Sequence, residues 1–436
     1  MSTQKLESLG VKLPEILLPA KHIALHRWAV IACDQFTQVP DYWEAVRTVS
    51  DGSPSTINLI LPEAQITETA RIQEAHRAMR TYLADGTFAP ARQGCVYIER
   101  RTHDTPLRRG IVLAIDLEQY DWQPETRLPI RSTEGTVPER LPARMALRRD
   151  AALETSHVIL LINDEEDRVI SSLAARAKAA PPIYRTDLGI ADFDSGSISG
   201  WFIDAKDAQD CLAESLEHIA STARKRYGNE LLFAVGDGNH SLASAKGVWE
   251  EYKLHHAADA QLKEHPARWA LVEIENLYDP GIHFEPIHRI LSGIDAASVR
   301  ETLLALPSVQ SVAATDKETL LRLVSDECKK HIGIVAGNTY TVLSLDTVNR
   351  LVTVDLQPVL DKLISQYGGS LDYIHGSSEL FRLLETDQKS VGLVLPPVIK
   401  SGFFDTIAAY GPLPRKSFSM GEAEEKRFYL ECRKLF

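Results

Sequence analysis

Leu231-Leu-Phe-Ala-Val235 is an unbroken apolar run, and it stops at Gly236-Asp237-Gly238-Asn239-His240 before a helical stretch over about 240–256. A run of this kind is the pattern of a strand buried on both faces. Two glycines separated by one residue let the chain turn sharply. Strand, tight turn and helix in immediate succession place the chain in the mixed α/β (α+β) class. The length of 436 residues exceeds the roughly 250–300 residues at which one core stops growing. A multi-lobed organisation is therefore expected: an N-terminal α/β lobe over 1–125, a central lobe with the candidate site over 126–295, and a C-terminal α/β lobe with a tail helix over 296–436.

Periodicity fills in the elements. In the first lobe, residues 28–33 read as a buried strand, 40–46 as a short helix with proline in its first turn, and 55–61 as a second strand. Over 67–84, Ile72, Ala75, Met79 and Leu83 fall at helical spacing. Segments 95–101 and 108–115 read as a hairpin. In the central lobe, 157–163 reads as a strand and 204–227 as a long amphipathic helix, and 269–276 and 284–289 are expected to continue the sheet. Beyond 296, helices over 297–306, 317–330 and 358–366 alternate with strands over 331–336, 340–345 and 391–395. The tail over 421–434 reads as a helix.

The turn carries the chemistry. Where a helix starts directly after a strand, free backbone N–H groups and the positive end of the helix dipole point at one place, a ready anion site. Gly236 and Gly238 permit that approach. Asp237 has the chemistry to hold a metal ion or orient a hydroxyl. Asn239 or Ser241 can cap the helix or hydrogen-bond a phosphate, and His240 can donate to a phosphate oxygen or move a proton. The competing reading is a turn whose polar side chains only satisfy the backbone. The motif is neither a Walker loop nor a full Rossmann fingerprint.

A second cluster is Arg131-Ser-Thr-Glu-Gly-Thr-Val-Pro-Glu-Arg140, with Arg144, Arg148 and Arg149 beyond it. Arginine forks bind phosphate or carboxylate bidentately, which makes Arg131 and Arg140 candidate anion ligands alongside Thr136. Glu134 among them is either a general base or an ion-pair partner. Otherwise the segment is a solvated charged face.

Other patterns exclude. Forty-eight basic against 60 acidic side chains give a formal charge of −12, which repels phosphate backbones and counts against a nucleic-acid partner. The five cysteines include no C-x-x-C pair, so neither a disulfide framework nor a thiolate metal site is expected. His283 and His288, five apart on a strand, would face opposite sides and make a poor zinc pair. No serine sits in a G-x-S-x-G elbow. No basic-then-apolar leader opens the sequence, and no stretch approaches the roughly 20 apolar residues of a spanning helix. The expectation is a cytoplasmic protein with no membrane partner.

Several segments resemble the family known as domain of unknown function 1015. They are residues 28–37, 54–62, 131–136, Gly236-Asp-Gly-Asn-His240, 284–289, 392–397 and 413–421. The turn is also similar to the Asp-Gly-His-His-Arg signature of the ParB and sulfiredoxin superfamily, which includes nucleotide-binding proteins and kinases acting on free serine. That likeness implies a ParB/sulfiredoxin-like central region with the turn at the phosphates. It covers Asp237, Gly238, Asn239 and His240. Where the pattern carries arginine this chain has Ser241, so the missing charge is expected from Arg131, Arg140 or Lys246. By the same analogy Glu134 is the base. The function implied is a small-molecule kinase acting on a hydroxyl, free serine being one such acceptor, with ATP or another phosphate donor and Mg²⁺ near Asp237. The rival readings are a non-catalytic nucleotide- or metabolite-binding module and a nucleic-acid-associated regulator.

Overall fold

The computed structural model describes residues 2–31, 40–187, 190, 193, 195–326, 330–346, 351–421 and 425–436. They form two compact units, Met1–Ile282 with Gly421–Phe436, and His283–Met420.

The first unit is built on a ten-stranded mixed sheet. Its strands in chain order are β1 (Val11–Lys12), β2 (Cys95–Arg101), β3 (Arg108–Asp116), β4 (Tyr120–Asp121), β5 (Ile130–Ser132), β6 (Val158–Ile162), β7 (Tyr184–Thr186), β8 (Ser197–Ile203), β9 (Phe233–Asp237) and β10 (Trp269–Asn276). Across the sheet they run β7-β8-β2-β3-β10-β6-β9-β5-β4, and β1 also pairs with β3. The expected hairpin is β2–β3. Strands read as parts of an N-terminal and a central lobe share this one sheet, because β10 is antiparallel to β3 and parallel to β6.

The apolar run becomes β9, held between β6 and β5. Phe233, Ala234 and Val235 have no exposed surface, so an alternating pattern would have left polar atoms in the core. The surrounding core includes Leu212, Leu216 and Ile219 from the helix Lys206–Tyr227, and Leu242, Ala245 and Trp249 from the helix after the turn. Burying one such side chain contributes about 1.5–3 kcal/mol, which makes β9 a rigid base for the turn at its end.

The second unit carries a seven-stranded sheet in the order Val309–Thr315, Thr339–Leu345, His331–Ala336, Val391–Val394, Phe284–Ser292 and Ser370–His375, with Phe418–Met420 also on Phe284–Ser292. The segment 284–289, expected to extend the first sheet, belongs here. Asp279 ends the preceding strand: its backbone N–H donates to Asn276 O at 2.8 Å, and its carboxylate accepts from Gly281 N at 2.9 Å.

Other expectations are corrected. Residues 55–61 form a short 3-10 turn, Thr56–Asn58, rather than a strand. Its polar groups are tied to residues remote in sequence: Ser55 N–H donates to Tyr82 Oη at 3.1 Å and Thr56 Oγ1 donates to Trp28 O at 2.8 Å. Within the segment 28–33, Val30–Ile31 is a strand as expected, whereas Trp28 ends a helical turn, Leu25–Trp28; residues 32 and 33 lie outside the described residues, as do 34–37 of the same segment. The helix over 317–330 ends at Val324, and 327–329 lie outside the described residues. The tail over 421–434, read as a helix, contains the strands Phe428–Tyr429 and Cys432–Lys434, paired with Val30–Ile31 and Leu153–Thr155; its residues 422–424 are not among those described. No helix among the described residues is long and apolar enough to cross a membrane.

Candidate anion and substrate site

Three helices frame the site: α1 (Thr69–Ala84), α2 (Leu141–Arg149) and α3 (Asn239–His255). Between β6 and β9, Leu160 pairs with Val235 and Ile159 with Asp237, so Gly236 is the extra residue of a bulge. A bulge re-aims the side chain beside it, here Asp237. Gly238 comes next at φ +84° as the N-cap of α3, and a Cβ there would lie 3.0 Å from Val158 Cγ2. Both the left-handed backbone and the close approach call for glycine at this position.

No side chain caps α3. Asn239, one of the two residues expected either to cap the helix or to bond a phosphate, turns its Oδ1 to the Arg131–Arg140 loop, accepting from Ser132 Oγ and from Thr133 N at 3.3 Å. Thr133 Oγ1 donates to Val235 O at 2.5 Å, and Val137 N donates to His240 Nε2 at 3.2 Å. The two sequence motifs are thus stitched together by four hydrogen bonds, with Glu134 between the anchor points at Thr133 and Val137. The first N–H groups of α3 have no intrahelical acceptor, and among the described residues no side chain caps them.

Beside this open end lies a cavity of about 170 Å³, bordered by Asp237, Gly238 and Ser241 on one side and by Glu63, Arg144 and His157 on others. Ser241 Oγ is 2.8 Å from His157 Nε2, and the Asp237 carboxylate is 3.9 Å from the buried Lys426 ammonium. Arg144 pairs with Glu63 at 2.6 Å.

The family described as "Protein of unknown function (DUF1015)" matches residues 17–363. The chain belongs to this family. No curated protein matches it. Among solved structures it is similar to a conserved hypothetical protein from Pyrococcus furiosus (11% identity, 73% of this chain and 90% of that one, TM-score 0.36). It is also similar to a free serine kinase variant in complex with AMP (8%, 74% and 92%, 0.40) and to C-terminally truncated SbnI from Staphylococcus aureus (10%, 73% and 85%, 0.34).

In this DUF1015 chain the candidate residues divide into two groups. Gly236, Asp237, Gly238, Asn239, His240 and Ser241 form the turn and the first turn of α3, with Glu134 and Thr136 on the loop bonded to them. The Arg140 charge acts on His240. Arg131 and Lys246, expected to supply positive charge, are engaged elsewhere. Arg131 is 1% exposed on β5, where Nε donates to Leu128 O and Nη2 to Asn229 Oδ1, each at 2.8 Å. Burial, with Arg127 nearby, draws its guanidinium down to about 10. The Lys246 ammonium donates to Leu117 O at 2.9 Å and pairs with Glu250 at 2.7 Å. His157, Glu63 and Lys426 were not singled out from the sequence. They come from three distant segments, and only the strand prediction over 157–163 hinted that His157 would sit at a sheet end.

Because His240 Nε2 accepts from Val137 N, that nitrogen carries no proton, and the neutral ring keeps its proton on Nδ1. Burial, reinforced by Arg144 and Arg140 and opposed by Glu63, holds its pKa at about 4, below the ordinary 6.5. The unfolded chain therefore binds this proton first as pH falls. The contribution of His240 to stability is complete above about 6.5 and is lost as pH drops toward 4. We expect the melting temperature to fall over that interval, and His240→Gln to fall less steeply. Parallel curves for the two proteins would contradict this protonation state.

Proposed function

We propose that the protein is a small-molecule phosphotransferase that moves a phosphoryl group onto a hydroxyl at the turn. The observation that carries this reading is the uncapped N-terminus of the 17-residue helix α3, set beside a carboxylate and a cavity. Helix N-terminal N–H groups suit phosphate oxygens, and phosphoryl transfer asks chiefly for positioning and charge neutralisation. The donor phosphate is received by the N–H groups of His240 and Ser241. Arg140 and Arg144 add positive potential, replacing the role expected of Arg131 and Lys246.

Among the described residues no group of three or more His, Cys, Asp or Glu is arranged to hold a metal. Mg²⁺ is commonly bound through one or two carboxylates plus substrate phosphates, and Asp237, bulged out at the strand end, fits as that single protein ligand. Bound there, the ion neutralises phosphate charge. Glu134 accepts the proton of the attacking hydroxyl as its oxygen bonds to phosphorus and the bond to the leaving nucleotide oxygen breaks. The region would then work as the ParB and sulfiredoxin resemblance implies, in the cytoplasm and without nucleic acid.

A second reading is a non-catalytic nucleotide- or metabolite-binding module. It is favoured by the engagement of Arg131 and Lys246 elsewhere, which leaves fewer cations for a transition state. Calorimetry with ATP, ADP and pyrophosphate, with and without Mg²⁺, is expected to show binding that strengthens with the metal. No heat from any of the three in either condition would count against the phosphotransferase and against nucleotide binding, leaving only a metabolite-binding module.

A further inference from the structure

The cavity beside the turn is not shaped for phosphate alone. Much of its wall is hydrocarbon, from Leu59, Leu61, Met79, Leu242, Ala245 and Leu271. Its volume of about 170 Å³ compares with the roughly 150 Å³ apolar cavity that suffices to bind benzene. That is room for a branched aliphatic chain or one ring, and too little for a nucleoside triphosphate. Polar groups interrupt the wall, among them the ion pairs Arg144–Glu63 and Arg148–Glu154 and the Asp237 carboxylate, and two features bear on a ligand. One is the Ser241–His157 pair, a hydroxyl 2.8 Å from an imidazole nitrogen. The other is Arg148, whose Nη1 pairs with Glu154 at 2.6 Å while its buried Nη2 has no hydrogen-bond partner among the described residues. A buried guanidinium nitrogen without a partner is costly unless something accepts from it.

We infer that the cavity takes a small hydroxy acid with a hydrocarbon body, which on the phosphotransferase reading is the acceptor. The body fills the apolar wall, the carboxylate pairs with the Arg148 guanidinium at the cavity edge, and the hydroxyl lies against Ser241 and His157 within reach of the phosphate site. A polar amino acid such as serine leaves that wall wet. The assignment of the hydroxyl rests on the phosphotransferase reading, whereas the fit of an apolar acid to the cavity does not.

The test is calorimetry on the full-length protein with 2-hydroxypropanoate, 2-hydroxybutanoate, 2-hydroxy-4-methylpentanoate and serine. Affinity should rise about fourfold per added buried methylene, and the amide of the branched acid should bind roughly tenfold more weakly than the acid. Ala245→Leu, which fills the wall, should flatten the series; if that variant does not fold, the wild-type series decides alone. Serine or 2-hydroxypropanoate binding as tightly as the branched acid, or no binding by any acid, overturns the inference. Binding of the series without phosphoryl transfer upholds it and removes the phosphotransferase reading. Transfer to serine with no dependence on chain length does the reverse.

Discussion

Replacing Arg427 with methionine is expected to lower the unfolding free energy of the first unit by about 3–5 kcal/mol, the usual cost of leaving a buried charge unpaired. Arg427 is 1% exposed, between Glu273 at 1% and Glu431 at 0%. It bonds Glu431, which also accepts from Tyr184 Oη. Its contact with Glu273 at 2.9 Å lacks hydrogen-bond alignment, so Coulomb attraction holds this pair. Burial lifts the Glu275 carboxyl well above the carboxylate range, with Arg108 opposing and Glu273 adding to the rise. The sheet makes room for this charge: a Cβ on Gly110 would lie 2.1 Å from Glu273 Oε1. Removal of Arg427 leaves Glu273 and Glu431 without their main counter-ion. All six tryptophans lie in the first unit, so their fluorescence during denaturant titration isolates the effect. The control is Arg224→Met, which breaks partly exposed pairs with Glu217 and Glu230 and should cost no more than about 1 kcal/mol. Equal losses in the two variants would leave the buried network no special part in stability. Adding Glu431→Gln to Arg427→Met should restore part of the loss.

Asp237→Asn and Glu134→Gln are expected to fail in different ways. The first keeps the shape of the bulge and removes the charge, so Mg²⁺-dependent nucleotide binding and turnover should fall together. The second removes a proton acceptor and should lower kcat by about 10²–10⁴-fold while leaving nucleotide affinity nearly unchanged. An interaction made only in the transition state lowers kcat and kcat/KM together, whereas lost uniform binding raises KM alone. Both melting temperatures should stay near that of the wild type. If the two variants melt lower but react at the wild-type rate while folded, their residues are structural and the catalytic assignment falls.

The parts legible in the sequence were those fixed by local chemistry. An apolar run, two glycines and a helical stretch were enough to place β9, the turn and α3, because each step is decided by neighbours within a few residues. The β2–β3 hairpin and α1 were legible for the same reason. The features that escaped depend on distant partners. In the tail, Arg427 and Glu431 fall four residues apart, a helical spacing when the charges of Lys426, Arg427, Glu431 and Arg433 are assumed to face water. In the structure those charges find Glu154, Glu273 and Asp237, and the chain runs as short strands. The segment 55–61 is apolar enough for a strand, and short apolar runs do not distinguish strand from turn; Tyr82 and Trp28, remote in sequence, decide it. Arg131 was read as a substrate ligand because it sits in a charged loop, but β5 carries it into the interior. The hydrogen bonds from Ser132 and Thr133 to Asn239, across more than a hundred residues, had no signature beyond the presence of both motifs.

The most direct measurement is phosphorus NMR of the protein with Mg²⁺, a nucleotide donor and hydroxyl acceptors that include serine and the branched hydroxy acid. The proposed function predicts a new phosphomonoester resonance growing in step with loss of the donor's terminal phosphate, and slowed in Glu134→Gln. A donor that stays intact, or yields only inorganic phosphate with every acceptor, would contradict it.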